Sequence, residues 1–331
     1  MSADTGVRWH SATVSDITVI AERIRRIVLR PDVAHKVRPG EHVKVLVTID
    51  GREVVRSYSI VDGAEDGSEY ALSVFQTPDS RGGSVFMHQL EAGDQLSVTE
   101  PLQDFPLRVG APSYVLVAGG IGITAIRHMA SLLRRLGADY RIHYSARSPE
   151  SMAYREELLD EHGERLTTYF DSENRFLDIP GLISGLTTDT ELYMCGPIRL
   201  MDAIRRAWAE REMDPTNLRF ETFGNSGWYQ AQPFRVSIPR LGVSTDIGAD
   251  ESLLEALEKI GVDMMSSCRR GECGLCQVDI LNADSHLDHR DVFFSDRQKK
   301  ASTKLCACVS RAASPNTDSR LTAPHITIDV P

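Results

Sequence analysis

Five of the six cysteines in this 331-residue chain lie between positions 268 and 308, and Cys268, Cys273 and Cys276 are spaced C-x4-C-x2-C. No other feature constrains the fold so tightly, because a single loop must bring three thiols to one centre. In a reducing compartment such a set indicates a metal site rather than a disulfide framework. The spacing is the plant-type [2Fe–2S] arrangement, in which a fourth cysteine arrives later in the chain. Zinc favours pairs of C-x2–4-C and suits this loop poorly. Ser266, Ser267, Gly271 and Gly274 are small enough to let the backbone approach the sulfides, and N–H groups of such a loop tune the potential. The fourth ligand stays open between Cys306 and Cys308 in KLCACVSRA. Two residues apart on a strand, both would point the same way.

Upstream, the first hundred residues carry strand-like runs, IRRIVLR, HVKVLVTI, VVRSYSIV, EYALSVFQ and QLSVTE. Pro39-Gly40, Asp50-Gly51, Asp66-Gly67 and Gly93-Asp94 separate them as turns. This pattern predicts a small antiparallel barrel. From Tyr114 the pattern alternates. YVLVA reads as a strand buried on both faces, and Ile126, Met129, Leu133 and Leu136 mark one face of a helix that ends at Gly137. RIHYSA, LTTYF and ELYMC read as further strands, and Ile198, Met201, Ile204 and Trp208 as another amphipathic helix, so a parallel α/β sheet is predicted. FGNSGWYQAQP reads as a linker, FRVSIPRLGVSTDI as a hairpin, SLLEALEKIG as a short helix and HITIDV as a closing strand. Domain boundaries are expected at 1–109, 110–225 and 226–331.

Charge and hydropathy exclude several classes. The balance of 37 Lys+Arg against 47 Asp+Glu gives −10, which argues against nucleic acid as a partner. The longest apolar run, Tyr114 to Ile126, is short of the roughly 20 residues a bilayer span needs, and MSADTGVRWHSATV has no apolar signal core. A soluble, cytoplasmic, monomeric protein without a membrane partner is expected.

Four further motifs carry chemistry. Arg56-Ser57-Tyr58-Ser59 lies on a predicted barrel strand, and Arg81-Gly82-Gly83-Ser84 opens a helix whose free N–H groups suit a phosphate. Gly119-Gly120-Ile121-Gly122-Ile123-Thr124 follows a buried strand and opens a helix, where a pyrophosphate can approach closely. Met194-Cys195-Gly196-Pro197 ends a later strand at the same sheet edge, where ligands of α/β folds bind.

RSYS, RGGS, GGIGIT and CGP in this order, followed by the cysteine loop, resemble the phthalate dioxygenase reductase and vanillate demethylase reductase family, within the ferredoxin–NADP reductase superfamily. The resemblance implies a multidomain fold: an antiparallel flavin barrel, an α/β nicotinamide domain and an α+β β-grasp ferredoxin domain. It implies FMN rather than FAD, with Arg56 and the Gly82, Gly83 and Ser84 backbone at the flavin phosphate, Ser57 among the flavin-binding residues, Tyr58 on the flavin and Ser59 near its N5. It further implies Gly120, Thr124, Ser145, Arg147, Cys195, Gly196 and Pro197 around the nicotinamide, with Cys195 and Ser59 at the reacting centre and Phe223 shielding the flavin face. In this family a VSRA-like stretch follows the last cluster ligand. That matches Cys308-Val309-Ser310-Arg311-Ala312 and leaves Cys306 as a buried small side chain. The chain departs from the family in EPLQDFPL, which replaces a PRN-like stretch. It departs again at Ser148 beside Arg147, where an acidic residue often suits an NADH ribose; an Arg there could accept a 2′-phosphate. NADH is nonetheless the donor the resemblance implies, ahead of NADPH.

The implied function is electron transfer from nicotinamide through flavin and cluster to a separate oxygenase, expected to be a Rieske non-haem iron enzyme. The rivals are a cytochrome P450 acceptor and a non-catalytic iron–sulfur sensor. Arg269 and Arg270, inside the cluster loop, are read as solvated in preference to docking an acidic partner.

Overall fold

A computed structural model describes residues 7–78, 80–224, 226–314 and 323–331. Asn225 of the expected linker and the first six residues lie outside the described residues. Contacts divide the chain into two compact units, Met1–Gly196 with Ala203–Glu221, and Pro197–Asp202 with Thr222–Pro331.

The first unit begins with strands β1 (Trp9–Ala21), β2 (Ile24–Pro31), β3 (Glu41–Ile49), β4 (Arg52–Gly63), β5 (Tyr70–Phe75) and β6 (Gln95–Thr99), with helix α1 (Gly83–Gln89) between β5 and β6. Their order is β4-β5-β2-β1-β6-β3, and β3 pairs back onto β4, which closes a six-stranded antiparallel barrel; β7 (Leu102–Gln103) extends β3. Alternating residues such as Ile27 and Leu29 on β2 and Val43, Val45 and Val47 on β3 point inward and are fully buried. Five strands match the sequence reading. β1 has no clear sequence pattern, because irregularities between Val14 and Asp16 and between Val19 and Ala21 break its alternation.

The parallel sheet follows, with β8 (Ser113–Gly119), β9 (Tyr140–Ala146), β10 (Leu166–Phe170), β11 (Thr190–Cys195) and β12 (Leu218–Glu221) in the order β10-β9-β8-β11-β12. Helices α2 (Ile123–Arg135), α3 (Arg155–His162), α4 (Ile179–Ser184) and α5 (Ile198–Glu210) connect the strands. The order reverses between β8 and β11, which creates a switch-point crevice at their C-terminal ends. On α2, Ile126, Met129 and Leu133 are buried as expected, but Leu136 is 56% exposed. The helix ends at Arg135, so Leu136 falls at its C-cap and turns away from the sheet.

Helix α2 is tied to the barrel by charge. Arg127 places Nη1 2.5 Å from Asp62 Oδ2 on β4 and Nη2 2.7 Å from Glu157 Oε2, and its guanidinium lies 4.3 Å over the Tyr154 ring. Asp62 Oδ1 also accepts from Arg26 at 2.8 Å.

The second unit holds β13 (Phe234–Ile238), β14 (Val243–Ile247), α6 (Leu253–Lys259), β15 (Gln277–Ala283), β16 (His286–Asp288), α7 (Asp296–Ala301), β17 (Lys304–Cys306), β18 (Arg311–Ala313) and β19 (His325–Asp329). The five-stranded sheet runs β14-β13-β19-β15-β17, with β13 and β19 parallel and the other pairs antiparallel. Ser252 and Glu255 form a reciprocal capping box that starts α6. Leu253, Leu254 and Leu257 then pack into a core with Val236, Val278 and Ile328. Among the described residues, no helix is long and apolar enough to cross a membrane.

Candidate functional site

In the barrel, Arg56, Ser57, Tyr58 and Ser59 lie along β4 opposite Val45, Lys44, Val43 and His42 of β3. The motif Gly82–Ser84 meets this strand from the start of α1. A Cβ at Gly83 would come within 3.0 Å of Arg56 Cγ, so the guanidinium stem lies against the helix start. A cationic side chain beside free N–H groups is a fitting cradle for a flavin phosphate. Burial pushes the Tyr58 phenol up, so it stays neutral as a ring that packs. Ser59 is buried, and its Oγ donates to Glu221 Oε2 at 3.3 Å.

Glu221 is the residue that sequence reasoning missed. It ends β12 directly beside Cys195 of β11 in the parallel register, and it is 3% exposed. Ser59 from the barrel thus reaches a buried carboxylate on the strand that pairs with Cys195. Cys195 itself is buried, and its carbonyl meets the GGIGIT turn. A Cβ at Gly122 would lie 2.2 Å from Cys195 O and 2.9 Å from Gly196 N. The two motifs therefore touch at the switch point through backbone alone. Thr124 is buried, and its Oγ1 donates to Ile121 O at 2.9 Å, which fixes the turn.

Other expected residues are more scattered. Ser145 pairs in register with Gly119 near the end of β9, and Arg147 lies beyond that strand, exposed, with its carbonyl accepting from Ser172 N–H. Pro197 precedes α5 and accepts from Met201 N–H. Phe223 is half-buried near the start of the long stretch of the second unit. Although His143 is titratable, burial and then Arg141 lower it to about 4, so it is neutral at pH 7.

The cysteine loop is built by backbone. Cys268 Sγ accepts from the N–H groups of Arg270, Glu272 and Cys273, each at 3.4 Å. Burial raises the Cys273 thiol, but the N–H groups of Cys268 and Leu275, with the Cys268 thiol, outweigh that and bring it below the ordinary value. Gly271 has φ +79°, and a Cβ there would be 2.6 Å from Val309 Cγ2 and 2.9 Å from Asp291 Cα, so only glycine fits. Its N–H reaches the Cys308 sulfur, and the Cys308 thiol also hydrogen-bonds the Cys276 thiol.

The thiols thus fall into two groups, Cys268 with Cys273, and Cys276 with both Cys306 and Cys308. Among the described residues, no three His, Cys, Asp or Glu side chains converge on one metal ion. Two thiol groups, one for each iron, suit a two-iron cluster held by four thiolates, whereas zinc needs all its ligands about one point.

Two expectations are corrected here. Cys306 and Cys308 do not share a strand: β17 ends at Cys306, and the chain turns as Ser310 N–H closes onto Cys306 O at 3.0 Å. Nor is Arg270 solvated. It is 8% exposed and pairs with Glu272 at 3.2 Å, while Arg269 pairs with Glu258, because carboxylates lie within reach of both.

Residues 11–106 match the family model described as an oxidoreductase FAD-binding domain, and 237–313 that of a 2Fe-2S iron-sulfur cluster binding domain. Barrel, parallel sheet and cluster domain together define an iron–sulfur flavoprotein oxidoreductase. The chain is 39% identical over 273 residues to the heme-dependent oxidative N-demethylase beta subunit of Ectopseudomonas mendocina (strain ymp), covering 82% of this chain and 85% of that protein. The solved structure of phthalate dioxygenase reductase aligns over 98% of both chains, at 30% identity and a TM-score of 0.72. An intact type IV self-sufficient cytochrome P450 monooxygenase aligns over 97% of this chain and 41% of its own, at 32% identity and a TM-score of 0.65. The chain belongs to the phthalate dioxygenase reductase family.

Proposed function

We infer that this protein takes electrons from NADH and delivers them, through FMN and a [2Fe–2S] cluster, to a separate oxygenase. The observation that carries the reading is the meeting of Gly122 with Cys195 at the switch point, with Ser59 bonded to Glu221 on the strand paired beside Cys195. When bound, nicotinamide would supply one hydride, two electrons with a proton, the flavin would release them singly, and the cluster would carry one at a time. The chain's task is to hold and orient these groups, with no bond-breaking acid or base required.

Arg56, Ser57 and the N–H groups of Gly82, Gly83 and Ser84 hold the flavin phosphate, Tyr58 packs on the ring and Ser59 borders its reactive edge. Gly120, Thr124 and Gly196 admit the dinucleotide, with Cys195 beside the nicotinamide and Ser145 and Arg147 toward the ribose. Cys268, Cys273, Cys276 and Cys308 ligate the cluster, and the Gly271 N–H at Cys308 favours it over Cys306. FMN follows from the family resemblance; release of the flavin by heat and mass spectrometry distinguishes it from FAD.

The test is electron paramagnetic resonance after anaerobic addition of NADH. A reduced [2Fe–2S] signal is expected at substoichiometric NADH, and a signal that dithionite produces where NADH gives none would remove the donor assignment. NADPH run in parallel reads the role of Arg147. As acceptor, a Rieske oxygenase is the first choice. A haem enzyme is the second reading, favoured by the N-demethylase and P450 relatives. Electron delivery to each purified acceptor separates the two.

Gly83→Val tests the flavin cradle. Added methyls displace the Arg56 stem, and losing one charge-assisted contact weakens flavin binding about 10- to 100-fold. Protein purified with full flavin would remove Arg56 from the phosphate site.

A further inference from the structure

Cys306 is the one cysteine of the 268–308 set that the proposed cluster does not use, yet it is placed like a ligand. Ala307 N–H donates to Cys276 O at 3.0 Å, so its two neighbours, Cys306 and Cys308, flank Cys276 from either side. Cys276, Cys306 and Cys308 are 2%, 0% and 3% exposed. The Cys276 thiol is hydrogen-bonded to both the Cys306 and the Cys308 thiols. Two sulfurs therefore compete for one place beside Cys276. What separates them is the surroundings. Cys308 receives the Gly271 N–H, a donor that suits a metal-bound sulfur, whereas Cys306 faces the buried Asp291 carboxylate.

We propose that Cys306 is a reserve ligand for the iron held by Cys276, which retains the cluster when Cys308 is lost. The inference rests on the reading of Cys308 as the normal fourth ligand. The exchange needs no oxidant or reductant: the Cys306 thiol gives its proton to solvent as its sulfur bonds iron, and the bond from position 308 is absent. Turn residues 307–309 need shift little, because Cys306 is already anchored at the end of β17 opposite Gln277.

The test uses full-length protein with Cys308→Ser, Cys306→Ala and the double variant. Serine preserves the packing of residue 308, so loss of the fold is not confused with loss of a ligand. Iron and acid-labile sulfide are measured per chain, and the dithionite-reduced protein is examined by electron paramagnetic resonance. Cys306→Ala is expected to keep the wild-type g-values. Cys308→Ser is expected to keep two irons per chain with altered g-values, and the double variant to lose iron at least tenfold. An empty Cys308→Ser protein with normal Cys306→Ala overturns the reserve role and leaves the Cys308 assignment standing. If the double variant is as full as Cys308→Ser, serine oxygen is the ligand and the reserve role is again overturned. If Cys306→Ala is empty and Cys308→Ser is normal, Cys306 is the primary ligand, and both readings fall.

Discussion

Gly122→Ala is expected to slow flavin reduction by NADH about 100-fold, the scale of a 1 Å misplacement of reacting groups. The added methyl would meet Cys195 O at 2.2 Å, Cys195 C at 2.5 Å and Gly196 N at 2.9 Å, all backbone atoms that cannot rotate aside. The two strand-end turns must separate, and the crevice between β8 and β11 changes shape. Backbone strain does not confound the result, because Gly122 has φ −59° and alanine adopts that conformation freely. Anaerobic stopped-flow at the flavin band gives the rate. Dithionite should still reduce flavin and cluster normally, which separates a damaged nicotinamide site from a misfolded chain. A wild-type rate would mean that the turn does not hold the nicotinamide.

Arg290→Ala is expected to destabilise the second unit by about 3–5 kcal/mol, the cost of leaving a buried charge unpaired. The Asp288 side chain is fully buried and takes Arg290 Nε at 2.8 Å, together with the Trp228 N–H at 3.0 Å. Arg290 also donates from Nη2 to Tyr229 O and from its backbone N–H to Ser310 Oγ. For a domain near 100 residues such a loss lowers the melting temperature by about 10–25 °C, read from bleaching of the cluster absorbance. Removing the partner as well, in Asp288→Ala/Arg290→Ala, should restore part of the loss, because no isolated charge remains. A melting point within a degree of wild type for the single variant would show that water, not protein, solvates Asp288.

The parts of this molecule that repeat are legible in the amino-acid sequence itself. Strand alternation in β2 to β6, the apolar face of α2 as far as Leu133, and the cysteine spacing each follow local rules. Where the rule is interrupted, the pattern misleads: β1 carries two irregularities, and Leu136 belongs to the pattern but not to the helix. The site is legible as separate strings, and the fold brings them together, GGIGIT against CGP and Ser59 against Glu221. An acid in RFETFG has no local signature, because its place comes from its pairing beside Cys195 in the sheet and its bond to Ser59 on the barrel. Arg127 and Asp62 are hidden for the same reason: each looks like an ordinary surface charge until the fold pairs them. Cys306 and Cys308 look equivalent only if strand geometry is extended through a turn, and the Ser310 N–H bond is what marks that turn.

The anchoring of the chain that precedes β13 bears on how such reductases can be recombined. Thr222 N–H donates to Glu272 Oε1 at 2.8 Å inside the cluster loop, and Trp228 N–H is held by Asp288. The polar stretch that reads as a tether in the sequence is therefore part of the iron–sulfur module's own scaffold. A chimaera joined at residue 226 would graft a cluster loop whose Glu272 has lost the native Thr222 amide. Joined between Glu221 and Thr222, the transplanted piece brings its own fastening with it.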